Sequence, residues 1–357
     1  MANRKRGEGG LVHVGQLNLI QDLVEDMAPD LALVAPVPAT PEQKPKKRSK
    51  REQNRDERIE RVTLQREAQK QDVGYLPKGF ILCGLPFKPV KNASYYERMN
   101  GDYILSITGS PKYGLPFGGD ILPVIWVATV ARKMMLETQS TKCPREIRFR
   151  SGADILQAFG LSKDGRSYKL MRDRILRVFH ATYFYGRANK QRLTNYSFRF
   201  FDGVDLWFDH DLESATLPDE AFANNRLMLS EQFANEIERN PPPIELQMAR
   251  AWSDKPAVLF FGMWLAYRCF TETDSTEIPL MGPRGLKEQL GVQGYDDPKQ
   301  GARSFRNKVK GWLLEIIRAW PECPARIKTT DHGDYLTITH AKAINPSQKG
   351  LILPQGA

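Results

Sequence analysis

The sequence predicts an α+β fold, mainly helical, with two tandem winged-helix domains and a disordered N-terminal arm. Three observations predict it. Residues 283–320 read as a short helix, a turn and a longer helix with a basic stripe, and a strand-like hairpin follows at about 326–340. Residues 145–209 repeat that order as strand, helix, helix and hairpin. Residues 1–74 hold proline and charge but few apolar side chains to fold around.

Within residues 1–74, a Pro-rich piece (Pro36, Pro38, Pro41, Pro45) leads into KPKKRSKREQNRDERIER. This stretch reads as a tether that also holds non-specific DNA contacts. A solvated helix over 50–71 is compatible with it, though it offers few apolar residues for docking. A nuclear-localisation reading of KPKKRSKR ranks lower.

Order is expected from Tyr75. GFILCGLPF (79–87) and DYILSITGS (102–110) have the apolar, β-branched look of strands. An apolar helix with Trp126 and Met134 is expected from Asp120 to Leu136. REIRFR (145–150) reads as a strand and SGADILQAFGL (151–161) as a helix with a Ser or Gly cap. A helix from Asp164 to Thr182 would bury Tyr168, Met171, Ile175, Val178 and Phe179. YSFRFFDGVDLWFD (196–209) is expected to be a hairpin turning at Asp202-Gly203. These elements make a first domain of 75–225.

The second domain, 226–345, opens with LMLSEQFANEIERN as a helix that Pro241–Pro243 stop. A short helix at 244–252 follows. Pro256 then begins AVLFFGMWLAYRCF, nearly all apolar and therefore the domain core. Residues 346–357 form a C-terminal tail.

The formal charge is +10 on 357 residues, with a pI near 9.3. A basic balance favours a polyanionic partner, most simply nucleic acid, although ribosome-associated and membrane-surface proteins share it. The 4 cysteines lie far apart with no C-x-x-C pair, as in reduced cytosolic thiols. No apolar run approaches the roughly 20 residues that span a bilayer. The basic Met1–Arg6 is followed by Gly and Glu rather than an apolar segment, so a cytoplasmic protein with no membrane partner is expected.

The longer helix within 283–320 carries the main candidates. At about 100° per residue, Ala302, Phe305, Val309, Trp312, Leu313 and Ile316 share one face, with Lys299, Arg303, Arg306 and Lys310 opposite. Such a helix suits a DNA major groove, with Arg pairing to guanine, Asn307 to adenine and Lys to phosphate. Gln300 and Ser304 are nearby polar candidates. A solvated surface face is the alternative reading. Arg166, Lys169, Arg174 and Arg177 carry the same hypothesis for the first domain, with dimerisation as its competitor.

Catalysis finds little support. The chain has no G-x-x-x-x-G-K-S/T loop. Its 5 histidines are scattered, without a His-x-His or H-E-x-x-H pair. Asp209-His210-Asp211, beside Asp202 and Asp205, reads as a hairpin end, and Tyr95 and Tyr96 read as packing residues. The expectation is a protein without enzymatic activity, cofactor or metal.

Several longer motifs resemble the RepA-type plasmid replication initiators. These are YGLPFGGDILP (113–123), REIRFRSGADILQAFGL (145–161), PPPIELQMARAWSDKPAVLFFGMWLAYR (241–268) and GLKEQLGVQGY (285–295) with FRNKVKGWLLEIIRAWP (305–321). They lie between residues 75 and 325. The family carries Arg after the Pro of the first motif, where this chain has Val124, and paired glycines where it has Gly165 alone. The resemblance implies tandem winged helices binding repeated sites (iterons) in double-stranded plasmid origin DNA of a bacterial host. It also implies recruitment of the host replication initiator and replicative helicase, copy control, and a monomer–dimer equilibrium in which dimers autorepress. A winged-helix transcriptional repressor and an origin nickase or primase are the alternatives. In the arm, QLNLI is similar to the short peptides by which bacterial replication proteins bind the sliding clamp. Leu17, Leu19 and Ile20 would fill an apolar cleft while Gln16 hydrogen-bonds at its rim; an ordinary amphipathic helix is the alternative.

Overall fold

A computed structural model describes residues 49–68, 71–91, 93–149, 152–188, 193–206, 225–239, 241–297 and 299–344. The chain divides between Asn54 and Arg55 into two units. Of the first, residues 49–54 are described. They open helix α1 (Lys50–Glu67), where Ser49 and Glu52 form a reciprocal cap: Glu52 N–H donates to Ser49 Oγ at 3.3 Å and Ser49 N–H to Glu52 Oε2 at 2.8 Å.

From Arg55 onward α1 belongs to the second unit, which corrects the expectation of a flexible arm through residue 74. Two apolar side chains suffice to dock it, Ile59 at 3% and Val62 at 0% exposure. Arginines supply the rest. Arg66 pairs with Glu245 at 2.8 Å, and Arg58 donates to the Gly160 carbonyl at 2.8 Å. A mostly charged helix can dock when its long side chains reach acceptors on the surface beneath.

The chain continues through β1 (Val73–Tyr75), α2 (Lys78–Leu82), β2 (Tyr95–Asn100), β3 (Tyr103–Thr108), a short 3-10 turn at Gly118–Asp120 and α3 (Ile121–Glu137). Then come β4 (Glu146–Phe149), α4 (Gly152–Ala158), α5 (Gly165–His180), β5 (Thr182–Ala188), β6 (Leu193–Phe198), β7 (Phe201–Asp205) and β8 (Asn225–Leu229). The last stretch is α6 (Glu231–Glu238), β9 (Pro243–Glu245), α7 (Leu246–Ala251), α8 (Pro256–Thr271), β10 (Thr276–Pro279), α9 (Leu286–Gln289), α10 (Gly301–Ala319), β11 (Arg326–Thr330) and β12 (Gly333–Ile338). The protein is thus mixed helix and sheet.

One connectivity occurs twice. In α3–β4–α4–α5–β7–β8 the strands order as β4-β8-β7; in α8–β10–α9–α10–β11–β12 they order as β10-β12-β11. Each time a helix is followed by a strand, two helices and two more strands, and the lone strand pairs with the last. In the first copy the β5–β6 hairpin is inserted after α5 and joins β2 and β3 in a four-stranded antiparallel sheet. The last strand of the first copy, β8, runs across 225/226, and β1 pairs with β9 to join segments that lie outside both copies.

The leading helix of each copy is the centre of its core. Ile121, Leu122, Val124, Ile125, Val127 and Ala128 of α3 are buried, as are Leu259, Phe260, Phe261, Trp264 and Leu265 of α8. Phe80, Tyr183, Phe200 and Phe233 form an aromatic cluster with ring centroids 4.6 to 5.7 Å apart.

Two local expectations fail. GFILCGLPF is not a strand: its first part lies in α2, where Gly79 packs so closely on the Tyr185 ring that a Cβ would come within 2.7 Å. Packing overrides strand propensity there. Residues 196–209 are not a hairpin turning at Asp202-Gly203. The chain changes sheets at Arg199-Phe200, since β6 pairs with β5 and β7 with β8. Ser230 fixes that corner by donating to the Arg199 carbonyl at 2.5 Å, and the same hydroxyl caps α6. The α6 helix accordingly begins four residues later than Leu227, which belongs to β8.

Candidate nucleic-acid interface

α10 is launched by a built turn. Lys287 pairs with Asp296, and Asp297 Oδ1 accepts from the Lys299 and Gln300 backbone N–H groups at 2.8 and 2.7 Å. At Gly301 a Cβ would stand 2.2 Å from the Tyr295 carbonyl oxygen, so only glycine fits the first helical position.

The apolar face is as expected for Phe305, Val309, Trp312, Leu313 and Ile316, all buried, but Ala302 is exposed. The cationic stripe is rearranged. Lys310 is only 9% exposed, and Arg306 is turned toward β12, where it meets Asp334 at 3.3 Å. The buried arc is therefore wider than the apolar stripe, and Asp334 of β12 meets the helix on that side. Ile317, buried on the same side as Arg306 and Lys310, was the sequence signal for this.

What α10 presents to solvent is Ala302, Arg303, Ser304, Asn307, Lys308, Gly311 and Arg318, with Lys299 and Gln300 exposed just before it. Of the candidates, Lys299, Arg303 and Asn307 therefore stand outward. Lys308 was missed by the sequence reading; its ammonium lies 6.0 Å from the Trp312 ring centroid. Asn307, Lys308 and Gly311 line a cleft of about 690 Å³ together with Pro86–Val90.

The corresponding helix of the first copy, α5, is capped by Asp164, whose Oδ1 accepts from Ser167 N–H at 2.8 Å. Met171, Ile175 and Val178 are buried, and Tyr168 and Phe179 are half-buried. Arg166 and Lys169 are exposed. Arg174 and Arg177 are not on that surface. They converge on Asp120, itself 1% exposed, at 3.9 and 2.7 Å. Burial works against the Arg177 guanidinium, but its hydrogen bonds to Asp120 together with the charges of Asp120 and Asp173 hold its pKa above the ordinary value. The YGLPFGGD motif thereby acquires a structural purpose. Asp120 anchors α5 to the start of α3, and a Cβ at Gly119 would come within 2.4 Å of Arg174 Nη2.

The second copy is tied to the segment that precedes the first by Arg98 of β2, 4% exposed, which donates from Nε to the Gln289 carbonyl of α9 at 2.9 Å and from Nη1 to the Gly84 carbonyl at 3.3 Å. Burial lowers the Arg98 pKa below its ordinary value.

Gln16, Leu17, Leu19 and Ile20 lie outside the described residues, as do Asp209, His210, Asp211 and the tail from 346. Among the described residues no group of His, Cys, Asp or Glu is arranged to hold a metal ion, and no helix is long and apolar enough to cross a membrane. All of the cysteines, Cys83, Cys143, Cys269 and Cys323, are buried and unbridged.

Comparison of the sequence with protein-family models and with curated proteins finds no match. Among solved structures the chain is similar to two crystal structures of domains 2 and 3 of RctB. The one of selenomethionine derivatives aligns at 13% identity and a TM-score of 0.44, covering 74% of this chain and 97% of that one. The second aligns at 12% identity and a TM-score of 0.43 over the same shares.

Proposed function

We propose that this chain is a sequence-specific duplex-DNA-binding protein that initiates plasmid replication, with α10 as its reading helix. The observation that carries the reading is the outward arc of α10. Arg303, Asn307 and Lys308 stand exposed on a helix whose opposite side is locked into a core by Phe305, Val309 and Leu313. Arg and Asn are the side chains best matched to guanine and adenine edges, and Lys to phosphate. The twice-used connectivity supports a tandem winged-helix reading, with the β11–β12 hairpin as the wing beside α10. In the first copy, Arg166 and Lys169 remain as DNA-facing candidates.

The mechanism is one of binding energy rather than bond chemistry. α10 enters the major groove, phosphate contacts contribute a salt-dependent share of affinity, and bending strains an adjacent AT-rich segment. The replication role, the iterons, the recruitment of host initiator and helicase, the clamp-binding use of QLNLI and the monomer–dimer switch follow from the motif resemblance.

The test is equilibrium binding to duplexes selected from a random pool, repeated over a salt series. Arg303→Ala is expected to weaken binding by about 1–3 kcal/mol, and Lys308→Ala to reduce the salt slope by about 1. Unchanged affinity and slope in both variants would refute the assignment of α10. Incubation with supercoiled plasmid and Mg²⁺ or Mn²⁺ is expected to leave it intact; nicking would favour the enzyme reading.

A further inference from the structure

The outward face of α10 does not stand alone. The segment Pro86–Val90, which leads from α2 toward β2, forms a wall of the same 690 Å³ cleft that Asn307 and Lys308 line. This wall is fastened to the helix. Phe87 stacks on Phe260 of α8 at 5.9 Å and meets Trp312 of α10 edge-on at 6.0 Å, while the Pro86 carbonyl accepts from Gly118 N–H at 2.7 Å. Pro86 and Pro89 fix two backbone torsions on either side of Lys88. Lys88 is therefore presented from a stiff, anchored strip.

The charges lining the cleft are unevenly distributed. Lys255 is paired with Glu315 at 2.5 Å, and Arg55 lies 3.9 Å from both Glu315 and Asp254, so these groups offset one another. Lys88 and Lys308 also line the cleft, one from Pro86–Val90 and one from α10. Both are exposed, and neither has an acidic partner among the described residues. A helix about 10–12 Å across with its side chains fills a major groove about 12 Å wide. Whatever flanks such a helix then lies against a sugar–phosphate strand.

We propose that Pro86–Val90 is a phosphate-binding wall of the DNA site, in which Lys88 and Lys308 face the backbone strand bordering the groove that α10 occupies. The DNA surface of the second copy thus includes a residue contributed by the segment preceding the first. This rests on the reading of α10 as the DNA-contacting helix. Because a phosphate contact carries no sequence information, Lys88 adds affinity on any duplex.

The experiment measures binding of wild type, Lys88→Gln, Lys88→Arg and Arg303→Ala to a random-sequence duplex and to a selected duplex over a salt series. Loss of one phosphate contact reduces the log–log salt slope by about 0.9. Extrapolated from 1 M salt, that slope corresponds to a roughly eightfold loss at 0.1 M for Lys88→Gln. The loss is expected equally on both duplexes, with Lys88→Arg restoring it. Unchanged or tighter binding by Lys88→Gln, while Arg303→Ala weakens binding, overturns the proposal and leaves α10 as the reader. Tighter binding in particular would make the wall an obstacle, suited to a protein partner in the cleft. If neither variant changes binding, the reading of α10 fails and the wall fails with it.

Discussion

Arg177 holds Asp120 through two parallel hydrogen bonds, Nε to Oδ2 at 2.7 Å and Nη2 to Oδ1 at 2.8 Å. The carboxylate also accepts from Phe117 N–H at 3.0 Å, and Arg177 lies 4.8 Å from the Phe117 ring centroid. A bidentate pair of this kind fixes direction as well as distance. It turns half of the basic side of α5 inward, and it separates the two helices that looked alike in sequence. α10 keeps an outward cationic arc, while the later arginines of α5 serve packing.

Asp120→Asn is therefore expected to destabilise the fold, by about 3 kcal/mol, because it strips the partner from Arg177 in a buried site. Urea unfolding checks the magnitude. The fraction that remains folded should bind duplex DNA as wild type does, which distinguishes this role from a direct contact.

Val62 is fully buried beneath α1, and Val62→Asp is expected to release the helix. Hydrogen exchange should then show lost amide protection over residues 55–67, with protection retained in α3 and α8. Protection that survives in 55–67 would mean that Arg58 and Arg66 hold the helix without its apolar contacts.

Glu245 gives the fold a pH dependence. Burial pushes its carboxyl up to about 7, although Arg66 and Gln71 pull the other way. The folded pKa lies above the unfolded value, so the folded state holds this proton more tightly. The resulting stability is present in full below about 4.5 and is lost as pH rises through about 7. Glu245→Gln should flatten this part of the profile. Thermal unfolding at pH 5.5 and pH 8 checks it, and an identical pH response in both proteins would rule the assignment out.

Much of the fold was legible in the sequence because its helices bury clear stripes. α3, α5, α8 and α10 all lie near the positions expected from Trp126, Ile175, Trp264 and Phe305. The failures share a physical origin in contacts distant along the chain. Gly79 and Phe80 enter a helix because Tyr183, Tyr185 and Phe200 pack around them, and Phe200 turns the chain between sheets because Ser230 holds the preceding carbonyl. The same holds for the interface. Arg303 and Asn307 could be read from spacing, but the inward turn of Arg306 depends on Asp334, and that of Arg177 on Asp120. Lys308 was passed over because its spacing places it beside Trp312, at the edge of the apolar face.

The central claim is that α10 reads bases, and Asn307 tests it most directly. Wild type and Asn307→Ala are compared on a selected duplex and on variants of it that differ by one base pair. The account predicts that at one A·T position the roughly 1–3 kcal/mol penalty paid by wild type disappears in Asn307→Ala, with the other positions unchanged. A variant that discriminates among all the duplexes as wild type does would contradict it.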